Sequence, residues 1–155
     1  MLDVAALGLA PGDVRRVDVP IEMDPLRFGG ETYGVDVPET GRVELQATSG
    51  GLYLKLHFDA TVSGPCYRCL EDARTGVTVD ATEYQERGAD ADDELDVDRW
   101  ARDALVLALP GKILCRPDCA GICPRCGARL EPGGAHDCAP TETDPRWESL
   151  RQLLE

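Results

Sequence analysis

Aromatic side chains make up only 5% of this 155-residue chain, and basic residues are outnumbered 16 to 29 by acidic ones. The first scarcity excludes an aromatic-rich core, so any core must come from Val, Leu and Ala. The second leaves a net charge of −13, which argues against a general nucleic-acid binder, because such binding is driven by cationic surface and counterion release. Long apolar runs are also missing, and with them any candidate transmembrane span. The N-terminal Met1-Leu2-Asp3-Val4 has neither a basic region nor a long apolar stretch, so no signal peptide is expected and a cytoplasmic location follows. Only two histidines occur. No Ser-His-Asp set, His-Glu-x-x-His or phosphate-binding glycine loop is present, which points away from an enzyme and from a small-molecule substrate.

Cysteine, by contrast, is plentiful. Seven are present, an odd number that fits poorly with a pure disulfide framework. Four of them fall within twelve residues, at Cys115, Cys119, Cys123 and Cys126. His136 and Cys138 follow, and Cys66-Tyr-Arg-Cys69 lies upstream. The seven cysteines and His136 make eight ligand-type residues, enough for two tetrahedral Zn2+ sites. Three pairings are open. Neighbours would group Cys66, Cys69, Cys115 and Cys119, then Cys123, Cys126, His136 and Cys138; this is the simplest. A crossed arrangement would join Cys66/Cys69 to Cys123/Cys126. A single zinc drawn from the C-terminal cysteines would leave Cys66 and Cys69 as thiols. Structural zinc is favoured over catalytic zinc, which needs an open coordination position and a nearby acid–base group. Redox chemistry at Cys66/Cys69 ranks lower, since such dithiols usually begin a helix and this pair lies between expected strands.

The fold expected is α+β. Alternation in Val17/Val19/Ile21, Val43/Leu45/Ala47, Leu52/Leu54/Leu56/Phe58 and Val77/Val79/Ala81 predicts an antiparallel, β-rich body. Ser49-Gly50-Gly51 reads as a hairpin turn. Residues 87–96 read as an exposed acidic loop. A helix over 98–109, capped by Asp96 or Asp98, is expected to cover the sheet through Trp100, Ala104, Leu107 and Ala108, with Leu105 and Leu109 broadening that face. Pro132-Gly133-Gly134 reads as a turn, and a short terminal helix is expected from Asp144-Pro145, with Trp147, Leu150 and Leu154 as its stripe. The organisation expected is a body over 1–110 and a zinc-binding segment with a terminal helix over 111–155. His57 reads as a solvated strand residue.

Charge is uneven. Glu83 to Asp98 holds eight acids and one base, whereas Lys112, Arg116, Arg125 and Arg129 face a single acid, Asp118, between 112 and 129. A small basic patch beside the metal would be a contact for RNA or a partner.

Cys66-x-x-Cys69-Leu70, then Leu107-Ala-Leu-Pro110, then Cys115-Arg-Pro-Asp-Cys119-x-Gly-x-Cys123-Pro-x-Cys126-Gly127, and finally Asp144-Pro-Arg-Trp147-x-x-Leu150 occur in this order. Together they resemble the YceD family, bacterial proteins linked to accumulation of large-subunit (23S) ribosomal RNA. The resemblance implies a non-catalytic role in large-subunit biogenesis, with ribosomal RNA or a ribosomal or assembly protein as partner. It also implies that Cys66, Cys69, Cys115 and Cys119 form one unit and the later four an optional second. Two readings follow: RNA contact through the basic patch, or an acidic protein–protein adaptor without RNA contact.

Overall fold

The computed structural model describes residues 1–86, 94–134 and 136–138. Among the described residues eight strands occur, β1 (Leu2–Asp3), β2 (Val14–Pro20), β3 (Leu26–Phe28), β4 (Glu31–Asp36), β5 (Thr40–Ala47), β6 (Gly51–Pro65), β7 (Asp72–Glu86) and β8 (Glu94–Leu95), with a 3-10 turn at Ala5–Leu7 and one α-helix, α1 (Val97–Ala108). Every strand pairing is antiparallel.

The long strand β6 organises the sheet. One of its edges pairs with β7 along the whole of Gly51–Pro65. Its other edge is shared: β5 pairs with Leu52–His57 and β4 with Thr61–Ser63. β2 extends the sheet beyond β5, and β3 extends it beyond β4. The β5–β6 turn is closed by Thr48, whose hydroxyl donates to the Gly51 carbonyl and accepts from the Gly51 amide.

Alternation sets which face is buried, because successive strand side chains point to opposite sides. Val43, Leu45, Leu54, Leu56, Phe58, Val62 and Val79 are all nearly or fully buried. Val97, Trp100, Ala101, Ala104 and Leu105 of α1 belong to the same cluster. Asp96 caps the helix, its carboxylate accepting from the Arg99 amide at 3.1 Å. Asp98 instead accepts from the Glu22 amide at 2.9 Å, which ties the helix start to the chain after β2.

Two expectations need correction. Leu107 is 87% exposed and Ala108 is exposed too, while Ala101 joins Trp100, Ala104 and Leu105 on the buried face. The acidic stretch does not extend to residue 96 as loop. Glu94–Leu95 pairs with Leu2–Asp3, and Leu95 is buried. A buried leucine anchors that short pairing, a stronger demand than the surrounding acids impose. Residues 87–93 of that stretch and the expected helix from Asp144 lie outside the described residues. Among the described residues no helix is long and apolar enough to cross a membrane.

Candidate metal centres

Cys66 and Cys69 sit at the tip of the β6–β7 hairpin. The last ladder pair is Pro65 with Asp72, and six residues turn between them. Inside the turn the Cys66 amide donates to the Glu71 carbonyl at 2.7 Å, and the Leu70 amide donates to the Cys66 carbonyl at 3.0 Å. The Arg68 amide points at the Cys66 sulfur, 3.5 Å away. The turn therefore joins two strands and begins no helix.

The second Cys-x-x-Cys repeats this bonding. The Cys123 amide donates to the Ala128 carbonyl at 2.7 Å, the Gly127 amide to the Cys123 carbonyl at 2.9 Å, and the Arg125 amide to the Cys123 sulfur at 3.4 Å. It too closes a small antiparallel ribbon, with a bridge between Ile122 and Arg129 and a Leu130 amide to Gly121 carbonyl bond. Both turns need a residue in the left-handed region just after the second cysteine. Gly127 fills that position at φ 72°. In the first turn it is filled by Leu70 at φ 63°, the one non-glycine residue with positive φ among the described residues.

The ligand-type residues gather in two groups, Cys66/Cys69/Cys115/Cys119 and Cys123/Cys126/His136/Cys138. Within each, all ligand atoms lie within 4.8 Å of one another. Cys66 and Cys119 sulfurs are 3.8 Å apart, Cys69 and Cys115 3.6 Å, Cys123 and Cys138 3.8 Å, and the Cys126 sulfur is 3.2 Å from His136 Nε2. A disulfide needs about 2.05 Å. Sulfurs bound at about 2.3 Å around a tetrahedral zinc stand about 3.8 Å from each other. Separation and donor chemistry both fit a thiolate-loving ion such as Zn2+.

Burial separates the groups. Cys66, Cys69 and Cys119 are buried, and Cys115 is half-buried. They form a small second core with Ala73, against which Ile113 and Leu114 pack. In the other group Cys123 is buried, but Cys126 and His136 are exposed and Cys138 is intermediate.

The sulfurs hold their protons unequally. Burial opposes ionisation of Cys66, yet amides of Cys115, Arg68 and Cys69 aimed at its sulfur draw it down to about 6. Burial and hydrogen bonds among the neighbouring sulfurs push Cys115 up to about 12. The Glu71 amide pulls on Cys69, but burial and the Cys66 and Cys119 sulfurs leave it raised. Amides of Cys126 and Arg125 lower Cys123 to about 6. Cys138 is pushed up to about 11 by its bond to Cys126, by burial and by Cys123. Four crowded sulfurs resist full ionisation without a cation between them, and a divalent ion removes that conflict.

Several residues that the sequence did not single out join the first hairpin to the segment after α1. The Tyr67 amide donates to the Ile113 carbonyl at 2.8 Å, and Arg68 donates to the Cys119 carbonyl at 2.6 Å. Gly121, at φ 85°, lies so close that a Cβ there would stand 3.1 Å from the Arg68 carbonyl oxygen. One signal was available: Cys66-x-x-Cys69-Leu70 aligns with Cys123-x-x-Cys126-Gly127.

Three of the four basic residues contact neighbouring groups, and Lys112, Arg125 and Arg129 are exposed. Arg116 bonds Glu131 at 3.2 Å and lies 3.7 Å from Asp118. Its pKa is raised, first by Glu131 and also by Asp118 and Cys115. Arg129 lies 3.6 Å from Glu71, across the two ribbons. Lys112 sits over the Tyr67 ring, 4.7 Å from its centre. Arg125 has no ion pair among the described residues. His57 contacts Asp80 at 2.7 Å on the exposed sheet face, away from both groups.

A family profile described as "Large ribosomal RNA subunit accumulation protein YceD" matches residues 54–154. An uncharacterised protein of Mycobacterium bovis is 32% identical over 171 residues, covering 99% of this chain and 80% of that protein. An uncharacterised Mycobacterium tuberculosis protein matches with the same identity and coverage. One of Mycobacterium leprae is 26% identical, over 99% of this chain and 77% of that protein. No solved structure matches the chain significantly.

Proposed function

The chain belongs to the YceD family, and from that premise we propose that it is a non-catalytic zinc-binding factor supporting 23S ribosomal RNA accumulation during large-subunit biogenesis in the cytoplasm. The observation that carries this reading is that the family match runs from residue 54 to 154 and so includes all eight ligand-type residues. Cys66, Cys69, Cys115 and Cys119 would hold one Zn2+, and Cys123, Cys126, His136 and Cys138 the other. Each ion would be closed by four protein ligands, which leaves it no position for substrate and suits a staple. The first would fasten the β6–β7 hairpin to the segment after α1; the second would hold that segment in shape. A body over 1–110 covered by α1, and an arm over 111–155, belong to the same proposal.

Depletion of the protein tests the reading. Mature 23S RNA is expected to fall relative to 16S, and wild-type protein to restore it. Cys66→Ser combined with Cys69→Ser is expected not to. An unchanged 23S level on depletion contradicts the proposal.

A second reading, an acidic adaptor that meets a basic ribosomal or assembly protein without touching RNA, draws support from the pairing of Arg116 and Arg129 with carboxylates. Those two arginines already serve internal contacts, so Lys112→Glu with Arg125→Glu is the cleaner variant. If RNA contact runs through this patch, crosslinking to 23S RNA is lost in the variant. If the chain is an adaptor, association with pre-ribosomes survives.

A further inference from the structure

β7 is fifteen residues long and pairs with β6 along its length. Among the described residues its other edge has no strand partner. A groove of about 370 Å³ runs beside that edge, lined by Val79, Asp80, Ala81, Thr82 and Glu83 on one side and by α1 on the other. Val79, Ala81 and Glu83 point to one sheet face and Asp80 and Thr82 to the other. A groove lined by both sets has the strand's edge as its wall. From that edge alternate residues present their N–H and C=O outward, as a template for another strand.

The helix side supplies the rest of a peptide site. Trp100 and the small Ala104 and Ala108 line it, and Leu107 stands on its rim, 87% exposed. An edge strand opposite a helix binds extended peptides through main-chain bonds, while pockets read alternate side chains. The groove's charge selects the occupant. Asp80, Glu83 and Asp103 line it and no basic side chain does, within a chain of net charge −13. We propose that the β7–α1 groove is a docking site for an extended, basic segment of a protein partner, which adds as a strand to β7 and packs an apolar side chain against Leu107 and Ala104.

The basic character of the occupant rests on the groove's own carboxylates; that it belongs to a ribosomal or assembly protein rests on the adaptor reading. The test therefore uses purified, zinc-loaded full-length protein and needs no ribosome. Nine-residue random peptides displayed on phage are selected against it, and the enriched sequences are synthesised. Lys and Arg are expected to alternate with apolar residues, with proline depleted at the centre. Residue-resolved amide exchange is expected to show edge amides of residues 79–83 exchanging freely in the unbound protein and slowing with peptide. Leu107→Asp, an exposed position that leaves the core intact, and Asp103→Lys with Glu83→Lys are each expected to weaken binding about tenfold or more. Failure to enrich a consensus, an acidic consensus, or protection elsewhere overturns the proposal. So does an edge already slow in the free protein, which means the chain covers it itself. Displacement of the peptide by a single-stranded oligouridine would assign the groove to RNA instead. Loss of the adaptor reading in the crosslinking test, with peptide binding intact, leaves the groove standing and changes only whose segment it takes.

Discussion

Cys66 and Cys115 share one cluster yet hold their protons in opposite senses, Cys66 drawn down to about 6 by amides and Cys115 pushed up to about 12 by burial and its sulfur neighbours. Cys123 and Cys138 repeat the split at about 6 and about 11. In the metal-free protein Cys66 and Cys123 therefore give up their protons most readily, and Cys115 and Cys138 keep theirs. A bound ion takes the place of the thiol protons. Zinc loading at pH 7 is expected to release protons, and affinity to fall as pH falls. The dependence steepens below about pH 6, where Cys66 and Cys123 also protonate. Calorimetry in buffers of different ionisation enthalpy measures the release; an enthalpy independent of buffer contradicts it.

Leu70 and Gly127 pose a second question at the same scale. Both occupy the left-handed position of the same turn, where a side chain costs about 1–2 kcal/mol. Leu70→Gly removes that cost but adds about 0.5–1 kcal/mol of chain entropy. It is expected to stabilise the zinc-loaded protein by up to about 1 kcal/mol, and Gly127→Leu, with the same two effects reversed, to destabilise it by up to about 1 kcal/mol. Urea unfolding of the two variants measures the order, and a reversed order contradicts the shared-turn account. Leu70 is 69% exposed and repays its strain through no buried contact.

At the scale of elements, the turn and the helix cap are local and separable from the core. Asp96→Ala removes the bond to the Arg99 amide and is expected to cost about 1 kcal/mol. Leu54→Ala, in the fully buried face of β6, is expected to cost about 2–5 kcal/mol. Leu107→Ala is expected to change stability by less than about 0.5 kcal/mol. Thermal melts rank the three; a Leu107 effect as large as that of Leu54 contradicts the helix orientation.

Periodicity made β2, β5, β6 and β7 legible, because each has one buried and one wet face. β3, β4, β1 and β8 were not, being short, polar or set by distant partners such as Leu2 with Leu95. The helix was legible in position but not wholly in rotation. Leu107 fits a leucine-rich face on paper, yet burial follows Val97, Trp100, Ala101, Ala104 and Leu105. Spacing alone left three ligand groupings open, and only the folded chain brings Cys66 beside Cys119, fifty-three residues away. The repeated turn was readable in the two Cys-x-x-Cys pairs, but Leu70 hid it by standing where the second turn has Gly127. The basic residues were visible, whereas their carboxylate partners, Glu131 and Glu71, became apparent only in three dimensions.

For the whole molecule, the two clusters differ in what they hold. The first ties the β6–β7 hairpin to residues 113–121 through sulfurs, the Arg68–Cys119 bond and the Tyr67–Ile113 bond. The second spans only residues 123–138, with two ligands exposed. The most direct test of two four-ligand staples is native mass spectrometry of the protein during chelation, with cysteine alkylation read at each step. The account predicts two Zn2+ per chain. The first to leave exposes Cys123, Cys126 and Cys138 to alkylation, and the second exposes Cys66, Cys69, Cys115 and Cys119. One Zn2+ per chain, with Cys66 and Cys69 alkylated before any chelator is added, would contradict it.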